Sequence, residues 1–372
     1  MPGGPGGHGR AGRVLVVTRA EDLADELGRI AAAAGTVLEV SPDFEAARRR
    51  YGDAALVLVG DDVSVAVALA GFPRRQAVLL VGRDLDDAGV WQRAVEIGAE
   101  EVVFLPESER YLASRMADVG EGVPGRGVRI SVVGGRGGAG ASTLAAALAV
   151  TGARAGVPTL LVDGDPLGGG IDLVLGDEAG SGMRWPALAQ TRGRLSAQAL
   201  REELPRTDTS GASELAVLSW DRGDLLTVPR EAMRAVLDAG GRAHDLVVVD
   251  LPRQRNEAVD EALAASTLTL VLVPAEVRAV AAATRVLSGV RAVAPVIEVV
   301  VRGPSASGLP AAAIAAALDL PLAGEIGSER GLPEMLDRGQ APPRRRGPLA
   351  GFCADLVADI VLARRHGSGL VA

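Results

Sequence analysis

Short apolar runs alternate with segments of helical periodicity along the first third of the chain. Runs of four or five residues, typical of parallel strands buried on both faces, lie at Val14–Val17, Thr36–Val40, Ala55–Val59, Ala77–Val81 and Glu101–Leu105. Between them, apolar residues three or four positions apart predict helices at Ala20–Ala34, Phe44–Tyr51, Val63–Ala70 and Gly89–Ile97. This alternation predicts a small, doubly wound α/β domain over residues 13–116.

A second and longer block of the same kind follows residues 117–127, a segment rich in glycine that we expect to be a linker. Its predicted strands are Val128–Val133, Thr159–Val162, Leu215–Leu218, Leu246–Val249, Thr267–Val273 and Ile297–Val301. Its predicted helices are Ser142–Ala155, Pro229–Ala239, Val277–Val290, Leu309–Ala317 and Leu349–Arg364. We therefore expect an α/β domain with a mostly parallel sheet and flanking helices over residues 128–366, a disordered tail at 1–12 and a short tail at 367–372.

Composition narrows the classes of function. The chain contains no lysine, so its 39 basic residues are all Arg, and 47 acidic residues give a formal net charge of −8. This acidic balance disfavours a general nucleic-acid coat. A single cysteine excludes an internal disulfide, and three scattered histidines disfavour a metal cluster. Because we find neither a membrane-length apolar run nor a secretory signal, we expect a cytoplasmic protein.

A glycine-rich turn lies between the first predicted strand and the first predicted helix of the second block. It reads V-G-G-R-G-G-A-G-A-S-T over Val133–Thr143. In this setting, glycines allow close approach to the backbone, and successive amides at a helix N-terminus attract an anion. The candidate nucleotide-binding residues are Arg136, Gly137, Gly138, Ala139, Gly140, Ala141, Ser142 and Thr143.

Carboxylates end two later strands of this block. The segment L-L-V-D-G-D-P-L-G-G-G-I-D-L at Leu160–Leu173 contains Asp163 and Asp165, and H-D-L-V-V-V-D-L-P ends its apolar run at Asp250. A carboxylate at the C-terminal end of a strand beside a phosphate loop commonly holds magnesium through water. We therefore expect Ser142, Asp163 and Asp250 to bind Mg²⁺.

Together the three motifs resemble the MinD/ParA family of deviant P-loop ATPases, over roughly residues 128–363. The family's loop, K-G-G-x-G-K-[ST]-T, corresponds to R-G-G-A-G-A-S-T at Arg136–Thr143. The resemblance implies an ATP and Mg²⁺ site in which Asp250 is the Walker B residue. It also implies that Asp165, as a catalytic residue if the site is active, positions the attacking water. V-P-A-E at Val273–Glu276 looks like the family's segment after the next strand.

Two lysines of the family pattern are replaced in this loop. The lysine that reaches across a dimer to the partner's nucleotide is Arg136, and the lysine that contacts the β- and γ-phosphates is Ala141. Loss of a charge-assisted contact, worth about 1.5–3 kcal/mol, predicts weakened nucleotide binding rather than none, because the backbone amides remain. Hydrolysis should suffer more, since the same charge stabilises the transition state.

The first domain resembles a receiver (flavodoxin-like) domain without its phosphorylation chemistry. A receiver needs acidic residues after its first strand, a phosphate-accepting aspartate after its third and a lysine after its fifth. The corresponding residues here are Thr18 and Arg19, then Gly60, Asp61 and Asp62, then Leu105. A shifted register that uses Asp61 stays open, although the metal-binding acids are missing. We expect an interaction or localisation module; a plain stabilising domain is the alternative.

The last predicted helix, Leu349–Arg364, has one apolar face. MinD proteins carry a C-terminal amphipathic membrane helix, so membrane contact is an alternative that we do not favour. We expect a helix that closes the domain's own core, with Cys353 as a small core residue. The basic run Arg344–Arg346 is expected to be a solvated loop.

A receiver-like domain followed by a MinD-like domain resembles the septum-site-determining proteins of actinobacteria and the pilus-assembly localisation ATPases of the CpaE/TadZ type. The resemblance implies a regulatory protein that positions septum or Flp/Tad-type pilus machinery through protein partners or as a homodimer. Those partners would recruit it to the pole, septum or membrane. Two alternatives stay open: an active ATPase cycling between monomer and ATP-bound dimer, and a ParA-like DNA-associated partitioning factor, which the acidic charge disfavours.

Overall fold

In the computed structural model, the apolar runs form two separate sheets. The structure describes residues 13–42, 44–75, 77–87, 89–120, 127–190, 194–224, 226–305 and 308–365. The chain divides into two units, which lie within residues 1–124 and 125–372. The predicted tails at 1–12 and 367–372, and residues 121–126 of the predicted linker, lie outside the described residues. In the described part of the chain, every helix is too short or too polar to cross a membrane.

The first unit is a five-stranded parallel sheet with the order β2-β1-β3-β4-β5. Its strands are β1 (Val14–Val17), β2 (Leu38–Ser41), β3 (Leu56–Gly60), β4 (Val78–Gly82) and β5 (Glu101–Phe104). Its helices are α1 (Glu21–Ala33), α2 (Phe44–Tyr51), α3 (Ser64–Leu69), α4 (Val90–Ile97) and α5 (Glu109–Gly120), with a 3₁₀ turn at Asp61–Val63.

Successive strand residues point to opposite faces of this sheet, and both faces are covered. Val14 and Val16 of β1 pack with α1 and α5, whereas Leu15 and Val17 pack with α2, α3 and α4. This arrangement confirms the doubly wound α/β prediction. Helix α5 was not predicted, and it runs through Gly120, four residues into the predicted linker.

The second unit is an eight-stranded sheet with the order β13-β12-β11-β6-β10-β7-β9-β8, parallel except for the β8–β9 pair. Its strands are β6 (Val128–Gly134), β7 (Thr159–Asp163), β8 (Arg206–Thr207), β9 (Leu215–Leu218), β10 (Leu246–Leu251), β11 (Leu268–Pro274), β12 (Ile297–Arg302) and β13 (Leu322–Ile326). Its helices are α6 (Ala141–Arg154), α7 (Ile171–Leu175), α8 (Trp185–Leu188), α9 (Ala197–Glu203), α10 (Arg230–Ala243), α11 (Glu257–Ala265), α12 (Val277–Val290), α13 (Ala311–Leu318), α14 (Leu332–Asp337) and α15 (Pro348–Arg365).

Three apolar cores hold these helices on the sheet. Helices α6, α7 and α15 cover one face of the sheet. On the other face, α8 to α11 cover one part, and α12 and α13 cover the part formed by β11 and β12. On α15, Leu349, Cys353, Val357 and Ile360 are buried in the core shared with α6. The last helix thus closes the core of its own unit, as its pattern predicts.

The order of the central strands decides where the site can form. Strands β12, β11, β6, β10 and β7 are neighbours and run parallel, so their carboxyl ends share one edge of the sheet. Ligands of open α/β sheets bind at this edge. The turn after β6 and the residues that end the four neighbouring strands therefore converge there.

Candidate functional site

The glycine-rich turn between β6 and α6 leads directly into the N-terminus of a helix. Gly138 and Gly140 have φ values of +67° and +98°, a region that favours glycine. Among the described residues, the amides of Gly137, Gly138 and Gly140 donate to no acceptor. The first-turn amides of α6 likewise have no intrahelical partner. These groups form a cradle that fits a phosphate chain.

The three predicted Mg²⁺ ligands lie together beside this cradle. Asp163 and Asp250 are paired residues of the adjacent strands β7 and β10, and both are buried. The hydroxyl of Ser142, on the first turn of α6, donates a hydrogen bond to Asp250. Sheet register thus brings together two carboxylates that are far apart in sequence.

The electrostatic environment of Asp163 and Asp250 suits a bound cation. Burial raises the pKa of Asp250 to about 8, against the Ser142 hydrogen bond, and the charges of Asp163 and Asp165 raise it further. Burial likewise raises the pKa of Asp163 to about 6. Within the described ranges, no group of three or more His, Cys, Asp or Glu side chains could hold a metal ion. Magnesium here would therefore complete its coordination with the hydroxyl, water and phosphate oxygens.

Two indoles and a serine hold Asp163 in place. The Nε1 atoms of Trp185 and Trp220 both donate to its carbonyl oxygen, at 2.6 and 3.1 Å. Its carboxylate accepts from the amide of Ile171 at 2.9 Å and from the hydroxyl of Ser219 at 3.1 Å. These three residues were not predicted from the sequence as part of the site. The two tryptophans are the feature of the sequence that could have indicated these contacts, because a buried indole N–H usually finds a hydrogen-bond partner.

Asp165, the predicted catalytic residue, lies on the loop after β7. It lines a cleft of about 470 Å³ together with Pro252 and Arg253. Its Oδ1 accepts from the amide of Leu167 at 3.0 Å. Arg253 also reaches the loop, because its Nη2 is 3.3 Å from the position that a Cβ on Gly137 would occupy.

The cations around the loop are guanidinium groups. Arg136, the first residue of the predicted motif, forms an ion pair of 2.9 Å with Glu276, at the start of α12. Ala141 is the first residue of α6 and carries no charge. Arg302, which ends β12, lies 3.2 Å (Nη1) from the position that a Cβ on Gly140 would occupy. Arg302 was not predicted from the sequence, although it directly follows an apolar strand run.

At the corresponding edge of the first sheet, Thr18 and Arg19 rather than acidic residues follow β1. The Asp62 carboxylate accepts from the Thr18 hydroxyl and the Arg19 amide, both at 2.8 Å, and from the Ala20 amide at 3.2 Å. Leu105, at the position of the receiver lysine, is buried. Asp62 therefore ties the β1–α1 turn to the end of β3.

Solved structures show the fold of the second unit. The cell division ATPase MinD of Pyrococcus furiosus has a TM-score of 0.53 and 21% identity, over 63% of this chain and 99% of that one. A ParA family ATPase from Chlorobium tepidum gives a TM-score of 0.52 at 16% identity, with the same coverage. A chain of the MinC:MinD cell division protein complex of Aquifex aeolicus gives a TM-score of 0.52 at 21% identity, over 66% of this chain and 98% of that one.

Sequence comparison identifies the family. Residues 17–127 match the model of the Rv3660c-like, CheY-like N-terminal domain. The uncharacterized protein Rv3660c of Mycobacterium tuberculosis is 38% identical over 352 residues, which cover 93% of this chain and 97% of that protein. The chain therefore belongs to the Rv3660c-like family, and in it a CheY-like domain precedes a domain with the MinD/ParA P-loop fold.

Proposed function

We propose that this protein is a regulatory factor that positions septum or Flp/Tad-type pilus machinery, and that its second unit binds ATP and Mg²⁺ weakly. One observation carries the proposal: an amide cradle lies beside two buried carboxylates, yet Ala141 replaces the cation of the loop. The MinD and ParA names of the structural neighbours support a positioning role.

The residues present fit such a ligand. The loop from Arg136 to Thr143 would hold the phosphate chain, while Ser142, Asp163 and Asp250 would hold Mg²⁺ directly or through water. Magnesium, when bound, supplies positive charge to the phosphate oxygens. Burial is the main cause of the raised pKa values of Asp163 and Asp250, and a bound cation would stabilise the charged form of both carboxylates.

A titration with a fluorescent ATP analogue tests nucleotide binding. We expect saturable, Mg²⁺-dependent binding that Ser142→Ala weakens. Ser288→Ala, an exposed serine on α12, is the matched control and should bind as the wild type does. Absence of saturable binding at millimolar nucleotide would overturn the nucleotide part of the proposal.

An active ATPase is the second candidate, because Asp163, Asp165 and Asp250 are all retained near the loop. Steady phosphate release by the wild type, abolished in Asp165→Ala, would favour it. If the site binds ATP only weakly, as proposed, we expect little ATP hydrolysis, because no lysine charge stabilises the transition state. A salt-dependent mobility shift with DNA would instead favour a partitioning factor.

The positioning role draws on the resemblance to the septum-site-determining protein Ssd and to CpaE/TadZ proteins. The CheY-like unit would then act as an interaction module, since Thr18, Arg19 and Leu105 replace the residues of phosphorylation. A fluorescent fusion should concentrate at the septum or the pole, and this pattern should depend on residues 13–120. A uniform distribution would contradict the positioning role.

A further inference from the structure

Arg302 places a guanidinium group beside the glycine-rich loop. Its Nη1 lies 3.2 Å from the position that a Cβ on Gly140 would occupy. It also lines a cavity of about 340 Å³ with Gly140 and Thr143. The group therefore lies beside Gly140, the last glycine of the loop.

Arg302 forms no ion pair among the described residues, although the charge of Glu276 acts on it and Glu329 lines the same cavity. The side chain is half-buried, and among the described residues it forms no hydrogen bond or ion pair. Burial lowers the pKa of Arg302, and the charge of Arg136 lowers it further, while Glu276 acts in the opposite direction. Glu276, however, is already paired with Arg136. Burying a cation without a partner costs free energy, which an anionic ligand would recover.

We infer that Arg302 contacts the phosphate chain of the bound nucleotide and supplies the positive charge that is absent at Ala141. The inference rests on the proposed function, because it requires the cradle to accept a nucleotide. Strand order supports it: β12 and β10 lie on opposite sides of β6. The loop thus has a guanidinium on one side and the Mg²⁺-binding carboxylates on the other.

The other two guanidinium groups near the loop are poorer candidates. Arg136 is held by Glu276 at 2.9 Å, so its charge is already partly neutralised. Arg253 approaches Gly137 but is exposed, and water can solvate it without a ligand. Arg302 combines proximity to the cradle with partial burial, and in the described part of the chain it forms no ion pair.

Competition binding tests the inference with wild type, Arg302→Gln and Arg302→Lys. We expect Arg302→Gln to weaken ATP binding at least tenfold and Arg302→Lys to weaken it less, because the charge is kept. Binding of adenosine, which has no phosphate, should be the same in all three. Arg285→Gln, an exposed arginine on α12, is the matched control for lost surface charge.

Thermal unfolding supplies a second measurement and checks that the variants fold. Inorganic tripolyphosphate should raise the Tm of the wild type and of Arg285→Gln more than that of Arg302→Gln. If the wild type binds ATP and Arg302→Gln binds it equally well, Arg302 does not contact the phosphates and only this inference fails. If the wild type binds no nucleotide, the proposed function fails and the inference with it.

Discussion

Restoring a lysine in the loop should reveal how much binding free energy its absence costs. Ala141 is the first residue of α6, directly after Gly140, so Ala141→Lys places an ammonium group at the cradle. A charge-assisted contact contributes about 1.5–3 kcal/mol, and each 1.4 kcal/mol is a factor of about ten. We therefore expect ATP to bind about 10- to 150-fold more tightly. A cation at a helix N-terminus should also lower the free energy of unfolding without ligand, by about 0.3–1 kcal/mol.

The double variant shows whether the lysine and Arg302 serve the same phosphates. If they do, Ala141→Lys should improve ATP binding more in the Arg302→Gln background than in the wild type, because the two cations repel each other. Isothermal titration calorimetry on the four proteins measures this coupling. Ala155→Lys, at the other end of α6, is the control for added charge. Unchanged affinity in Ala141→Lys, with an unchanged fold, would refute the argument that the loop retains a phosphate-binding shape.

Three further predictions follow from contacts outside the loop backbone. Burial lowers the pKa of His244 to about 4 in the folded protein, below the value of about 6.5 in the unfolded chain. The contribution of the neutral imidazole to stability is therefore complete above pH 6.5 and is lost as the pH falls towards 4. From pH 7.5 to 5 the wild type should lose about 2 kcal/mol more unfolding free energy than His244→Gln in urea titrations; parallel pH profiles would contradict this. Asp62→Ala removes hydrogen bonds to the β1–α1 turn, and should destabilise the first unit by about 1 kcal/mol in urea unfolding followed by Trp91 fluorescence. Asp53→Ala, which is exposed, should change it little. Asp250→Asn should remove the Mg²⁺ dependence of nucleotide binding, measured with and without EDTA; an unchanged dependence would exclude Asp250 from the metal site.

Both sheets were predictable because their central strands are buried on both faces and therefore appear as continuous apolar runs. Elements that were not predicted include α5, β8, α11, β13 and α14, which are short or have a weaker pattern. Helix α5 buries only Leu112, Met116 and Ala117. Strand β13 is an edge strand in which Gly324 interrupts the apolar positions, and its register with β12 shifts at Val299.

The site was predictable as far as its motifs are local in sequence. The loop and the three aspartates each follow an apolar run, so sequence spacing places them at strand ends. Arg302, Ser219 and the two tryptophans reach the site through sheet order and through irregular segments after β7. Spacing carries no information about which strands become neighbours. The positions of Arg302, Ser219 and the two tryptophans at the site therefore become known only from the fold.

The two indole groups that bind the Asp163 carbonyl oxygen give this site an intrinsic fluorescence signal. Trp185 and Trp220 have ring centroids 6.0 Å apart, and both rings are buried. The remaining tryptophan, Trp91, is 61% exposed and belongs to the first unit. Buried and exposed indoles differ in emission wavelength and in access to a dissolved quencher such as acrylamide. Ligand-induced movement at the end of β7 could thus be followed in the unlabelled protein, with Trp91→Phe leaving the signal to the buried pair.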